Sequence, residues 1–246
     1  MSMRVELGFA NIPKVSKREM GGEDACFIMH DPYPAFGVAD GVGSWLSNEG
    51  ISAGDYAKSL MNNAYTILGE GVKNLESVLR NAYDRTSGAG SSTIILADFH
   101  KKKANFLMIG DSGYCIIRDG KINMKSEEQE RYFNKPYQIG RDKKGEAFGE
   151  GLEVAELTTQ SIKKGDTIIA ATDGLFDNLF DDDITDITSA YPNESSTFIA
   201  SRLAIMAFDR SVSKDHTPFS VAMNKRGKEY EGGKEDDITV VVGKVN

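Results

Sequence analysis

The acidic residues of this chain recur in one setting, at the ends of short apolar runs. Ala35-Phe36-Gly37-Val38-Ala39 stops at Asp40, and Gly41, Val42 and Gly43 follow at once. Phe106–Ile109 leads into Gly110-Asp111-Ser112-Gly113, and Ile168–Ala171 leads through Thr172 into Asp173-Gly174. Glu23-Asp24 and Asp236-Asp237 stand just before the apolar runs that open at Ala25 and Ile238. A single Asp of this kind is ordinarily a turn former, and Asp-Gly is a common hairpin signal. Several at once call for more. Carboxylates gathered in a partly buried place repel one another, and their pKa values rise unless a cation neutralises them. An all-oxygen ligand set without His or Cys selects hard cations, Mg or Mn ahead of Ca. An EF-hand keeps its acids in one short loop, whereas these are spread along the whole chain. Two hard ions about 4 Å apart suit phosphate hydrolysis, with a bridging water as the nucleophile.

Other chemistries find no support. Cys26 and Cys115 lie in separate apolar runs, and neither is followed by an Arg six residues on. They read as buried free thiols in a reducing compartment. His30, His100 and His216 show no metal-ligand spacing, and the chain has neither a GxxxxGK[ST] loop nor an HExxH motif. Asp181-Asp182-Asp183-Ile184-Thr185 fits a DxDxT pattern but opens a helical zone. Acids there favour the helix dipole, so we read it as a helix start. Trp45 reads as a packing residue.

The elements that must position these acids follow from periodicity. Arg4–Ala10 alternates as a first strand, Ala25–His30 is a second, and Ala35–Ala39 a third. Ile51–Leu68 and Val72–Tyr83 change to helical spacing. Ser92–Phe99, Ala104–Ile109, Tyr114–Arg118 and Lys121–Met124 read as an antiparallel meander, with a hairpin turn at Asp119-Gly120. Leu152–Leu157, Asp166–Ala171 and Ile238–Val245 are further strands. A helical zone from Asp181 to about Val212 breaks at Tyr191-Pro192-Asn193, with Ser195 or Ser196 as a cap. His216–Gly233 reads as a loop-rich connector. The charged, irregular, glycine-containing stretch at about 125–151 reads as a mobile flap-like insertion in a single domain over residues 1–246.

Composition bounds the partners. The 246 residues are 40% hydrophobic and 27% charged, enough for a substantial core. A net charge of −8 argues against nucleic acid and anionic membranes, yet allows a phosphorylated substrate if metal ions supply the positive charge. No apolar run reaches membrane-spanning length, and no signal-peptide core opens the chain. The expectation is an intracellular protein, cytoplasmic or mitochondrial, without membrane insertion and monomeric.

GGEDA (21–25), VADGVG (38–43), GSST (90–93), GDSG (110–113), ATDGLFD (171–177) and EDDITVVVG (235–243) stand in an order that resembles a known family. They are similar to the signature blocks of the metal-dependent protein serine/threonine phosphatases, the type 2C or PPM family. ERYFNKPYQI (130–139) and GGKEDDIT (232–239) further resemble its branch with mitochondrial members. The resemblance implies an α+β fold, a four-layer α-β-β-α sandwich of two antiparallel β-sheets flanked by helices. It implies hydrolysis of phosphoserine and phosphothreonine in a phosphoprotein substrate, with two Mg or Mn ions and in many members a third. Asp40 would bridge the two metals, with the Gly41 carbonyl on one of them through water. Glu23 would sit on the second metal's side, and Asp173 and Asp236 would hold the first. Asp24 would orient the attacking water. Asp111, with Asp173, would match the weaker third-metal site.

Two departures stand out. Glu19 occupies the position where many members have a phosphate-gripping Arg, which leaves Arg18 as the substitute. Val42 replaces a His proposed elsewhere as general acid. The competing expectation is a catalytically weak or inactive binding module on the same fold. Asp237 stands where an Asn is common and is given no role here.

Overall fold

The computed structural model describes residues 4–246. Two five-stranded antiparallel sheets pack face to face. The first runs in the order Val5–Ile12, Ile238–Val245, Thr167–Ala171, Gly113–Arg118, Lys121–Lys125. The second runs Glu156–Ser161, Lys103–Ile109, Ile94–His100, Ala35–Ala39, Ala25–Met29. Helices Ala53–Gly69 and Leu75–Arg85 cover the second sheet; Asp181–Ala190 and Ser196–Ser211 cover the first. The expected four-layer sandwich is the observed one.

Both faces of each sheet are therefore covered, which explains the near-continuous apolar runs. Along Ile94–His100, Ile95, Ala97 and Phe99 point between the sheets, while Ile94 and Leu96 face the helices. That is the two-residue period of a strand with a core on either side. Phe106 and Tyr114 stack across the sandwich with ring centroids 3.9 Å apart. In the Ala53–Gly69 helix, Tyr56, Leu60, Met61, Ala64, Ile67 and Leu68 form the buried stripe. Ser195 caps its helix, accepting from Phe198 N at 3.2 Å.

Four sequence readings need correction. The strands Lys103–Ile109 and Gly113–Arg118 are not neighbours in a meander: the chain crosses from one sheet to the other at Gly110–Ser112. The 152–157 run begins as a turn of 3-10 helix, Leu152–Val154, and pairs as a strand only over Glu156–Ser161. The connector after His216 contains the helix Pro218–Lys225, with Thr217 capping Ser220 N and Pro at the first helical position. The 125–151 stretch is not irregular. Glu130–Tyr132 pairs with Lys135–Pro136, and Ile139–Arg141 lies between Ala147–Gly149 and Gly90–Ser92. No helix is long and apolar enough to cross a membrane among the described residues.

Candidate metal centre

Antiparallel pairing reverses the chain at every strand, so junctions alternate between the two ends of a sandwich. The acidic junctions all fall on one end. Ala25 lies opposite Ala39, Ile94 opposite Ile109, and Ala171 opposite Gly113 and Val240. Glu23-Asp24 and Asp40 thus hang from the second sheet, Asp173 and Asp236-Asp237 from the first, and Asp111 from the crossing between them.

The Asp40 turn is fixed by backbone and hydroxyl bonds. Thr93 N donates to Asp40 O at 2.9 Å, and Asp40 N donates to Thr93 Oγ1 at 3.2 Å. Gly41 N donates to Glu23 O at 3.2 Å and Val42 N to Ser91 O at 3.0 Å. A β-carbon on Gly41 would stand 2.6 Å from Glu23 O and 2.9 Å from the Ala53 backbone. Glycine is needed here for close approach, not only for turning. Burial, and then the charges of Asp24, Asp173, Asp236 and Asp111, push the Asp40 carboxyl well above the usual range.

Three acids stand behind the turn. Glu23 is buried; its Oε1 accepts from Ala53 N at 3.2 Å at the start of a helix, and its Oε2 is paired with Lys17. Asp24 Oδ2 accepts from Thr172 Oγ1 at 2.9 Å. Asp237 Oδ1 accepts from Lys14 N at 2.7 Å and Oδ2 from Glu23 N at 2.9 Å. The Asp237 carboxylate therefore clamps both ends of the segment between those residues.

A cavity of about 310 Å³ opens in front of the turn, lined by Asp40, Gly41, Val42, Asp111, Asp173 and Asp236, with Lys14, Lys17 and Lys234 in its walls. The Lys234 ammonium donates to Asp173 Oδ2 at 2.5 Å and Asp177 Oδ2 at 2.7 Å, and stands 3.7 Å from Asp236 Oδ2. Among the described residues no three His, Cys, Asp or Glu side chains close on one point; the acids surround this ammonium instead. Burial, opposed by Lys234, raises the Asp177 carboxyl to about 7. Burial and Asp173 push Asp111 well above the usual carboxylate range, with Lys234 opposing.

The residues nonetheless fit a hard cation. Every charged donor in the set is a carboxylate oxygen. Asp24 Oδ1, Asp111 Oδ1 and Asp173 Oδ1 are buried without a hydrogen-bond partner. A buried, unmatched carboxylate oxygen is costly unless a donor or cation meets it.

Asp40, Gly41, Asp111, Asp173 and Asp236 are brought to one cavity as the sequence suggested. Glu23 and Asp24 lie at its back, and Asp24 also borders a separate groove beside Cys26 and Lys58. Arg18 is not in the wall: its guanidinium lies over the Phe208 ring, 5.4 Å from the centroid. The lysines Lys14 and Lys17 hold that side of the cavity. They and Lys234 escaped the sequence reading because a lone lysine in a polar stretch looks solvated. Asp177 left a clearer trace, since it follows Asp173 by four residues, a helical spacing.

No family model matches the chain. It is 36% identical over 249 residues to Probable protein phosphatase 2C 55 of Arabidopsis thaliana, covering 99% of this chain and 52% of that protein. It is 31% identical over 258 residues to Probable protein phosphatase 2C 26 of Arabidopsis thaliana, covering 99% of this chain and 84% of that one. The chain thus spans about half the length of several curated relatives it matches. The X-ray structure of the photosystem II phosphatase PBCP superposes with a TM-score of 0.91 at 32% identity, over 99% of each chain.

Proposed function

The chain belongs to the type 2C family of metal-dependent protein phosphatases, and from that premise we propose that it hydrolyses phosphoserine and phosphothreonine in proteins with two Mg or Mn ions. The observation that carries this reading is the single cavity in which Asp40, Asp111, Asp173 and Asp236 meet from both sheets and their crossing. Bound there, the ions would supply an activated water and polarise the phosphoryl oxygens.

The chain's own residues have distinct tasks in this proposal. Asp40 would hold both ions, with the Gly41 carbonyl as a further oxygen beside it; both residues line the cavity. Asp173 and Asp236 would hold the first ion, Glu23 would sit on the second ion's side, and Asp111 with Asp173 would hold a weaker third. Asp24, held by Thr172, would orient the water that the ions activate. Lys14 takes the phosphate-gripping part assigned to Arg18 from sequence: it lines the cavity and makes no ion pair among the described residues. Lys17 is engaged by Glu23 and Asp237, so it secures the wall.

The test is turnover of an aryl phosphate with Mn, then with a chelator. Activity should vanish with chelation and return with added Mn, and Asp40→Asn or Asp173→Asn should each reduce it by at least about a thousandfold. Turnover that survives the chelator or either substitution overturns the assignment.

A further inference from the structure

Lys234 is the feature of the cavity that the proposed reaction leaves unused. It is only 15% exposed, and its ammonium touches two proposed metal-holding acids, Asp173 and Asp236. Its position is built rather than incidental. Lys234 N donates to Asn178 Oδ1 at 2.9 Å, and Asn178 Nδ2 donates back to Lys234 O at 2.9 Å. The same amide donates to Gly174 O at 2.9 Å, tying this backbone to the Asp173 turn. The ammonium also has a second resting place: Asp177 Oδ2 lies at 2.7 Å, and the Phe219 ring centroid at 5.3 Å. Cation–π attraction and a carboxylate outside the proposed ligand set can hold it there.

We infer that Lys234 is an internal counter-ion that holds Asp173 and Asp236 in the ion-free protein and must withdraw towards Asp177 for a metal ion to bind. An ammonium and a divalent ion cannot share the same carboxylate oxygens, and like charges at such separations repel strongly. The lysine thereby sets metal affinity. It neutralises acids that would otherwise repel each other, and its displacement is subtracted from the binding free energy of the ion. By linkage, a tighter hold on Lys234 means a weaker hold on metal, and the reverse.

This rests on the metal reading of the same cavity, and calorimetric titration of the metal-free protein with Mn separates the two. Wild type that binds no Mn would sink the metal reading itself. Wild type that binds Mn, with Lys234→Gln no tighter, would sink only the role of Lys234. The expected result is that Lys234→Gln binds Mn about tenfold more tightly, a change between the fully and the partly screened repulsion of two charges in contact. Lys234→Arg, which keeps the charge, should gain nothing. Without metal, Lys234→Gln should unfold at a lower temperature than wild type, and saturating Mn should close that gap. The double variant Asp177→Asn/Lys234→Gln removes one charge of each sign and so guards against a single variant that fails to fold. It too should bind Mn more tightly than wild type, and equal or weaker binding by either variant that folds overturns the inference.

Discussion

Asp237 lies next to a proposed metal-holding acid yet spends both carboxylate oxygens on backbone N–H groups, those of Lys14 and Glu23. Hydrogen bonds to a buried charge are among the stronger kind. Asp237→Ala should therefore lower unfolding stability by about 3 kcal/mol in urea titration with chelator present. Asp237→Asn, which keeps one acceptor, should lose about half of that. Unchanged stability in both would show that the clamp is not holding the segment. Val42 raises a different question. It lines the cavity and has no proton to give, so leaving groups that need protonation should suffer. Aryl phosphates should turn over faster than phosphoserine peptides when chemistry limits the rate, and Val42→His should raise the peptide rate about tenfold or more. Equal single-turnover rates on the two substrates would refute the idea.

Elements with a strong period were legible before any coordinates. Ala35–Ala39 is a strand over the residues its apolar run suggested, and the break at Tyr191–Asn193 separates two helices as read. The cap at Ser195 can be tested directly. Ser195→Ala should cost about 1 kcal/mol in thermal or urea unfolding, leaving Mn binding unaltered. Where the reading failed, tertiary pairing had overridden local signals. Gly-rich 139–149 carries little strand propensity, but Ile139–Arg141 gains two partners at once, one of them Gly90–Ser92. Pro218–Lys225 was announced only by Thr217, Pro218 and Ser220, a capping signal too short to outweigh the polar residues around it. The acids of the site were visible because each closes an apolar run. The lysines were not, because only packing removes them from water.

On the scale of the molecule, the proposed metal centre belongs to neither sheet alone. Acids from both sheets and from the crossing at Gly110–Ser112 line the one cavity, so under the proposed function ion binding and global stability should be linked. Mn at a hundred times its dissociation constant should stabilise the fold by about 2.7 kcal/mol per site. Differential scanning calorimetry over a Mn series checks this, and a melting temperature indifferent to Mn would contradict it.

The first and last strands are neighbours, paired from Val5 with Val245 to Ile12 with Ile238. Arg4 and Asn246 close that ladder at its far end, with Asn246 N donating to Arg4 O at 2.8 Å. The acids gather at the Ile238 end, so Arg4 and Asn246 lie roughly 25 Å from them, one strand length away. The two ends of the described chain thus leave the sandwich side by side, on the side away from the acidic cavity, and a label placed on either would stand a strand's length from the proposed ion positions.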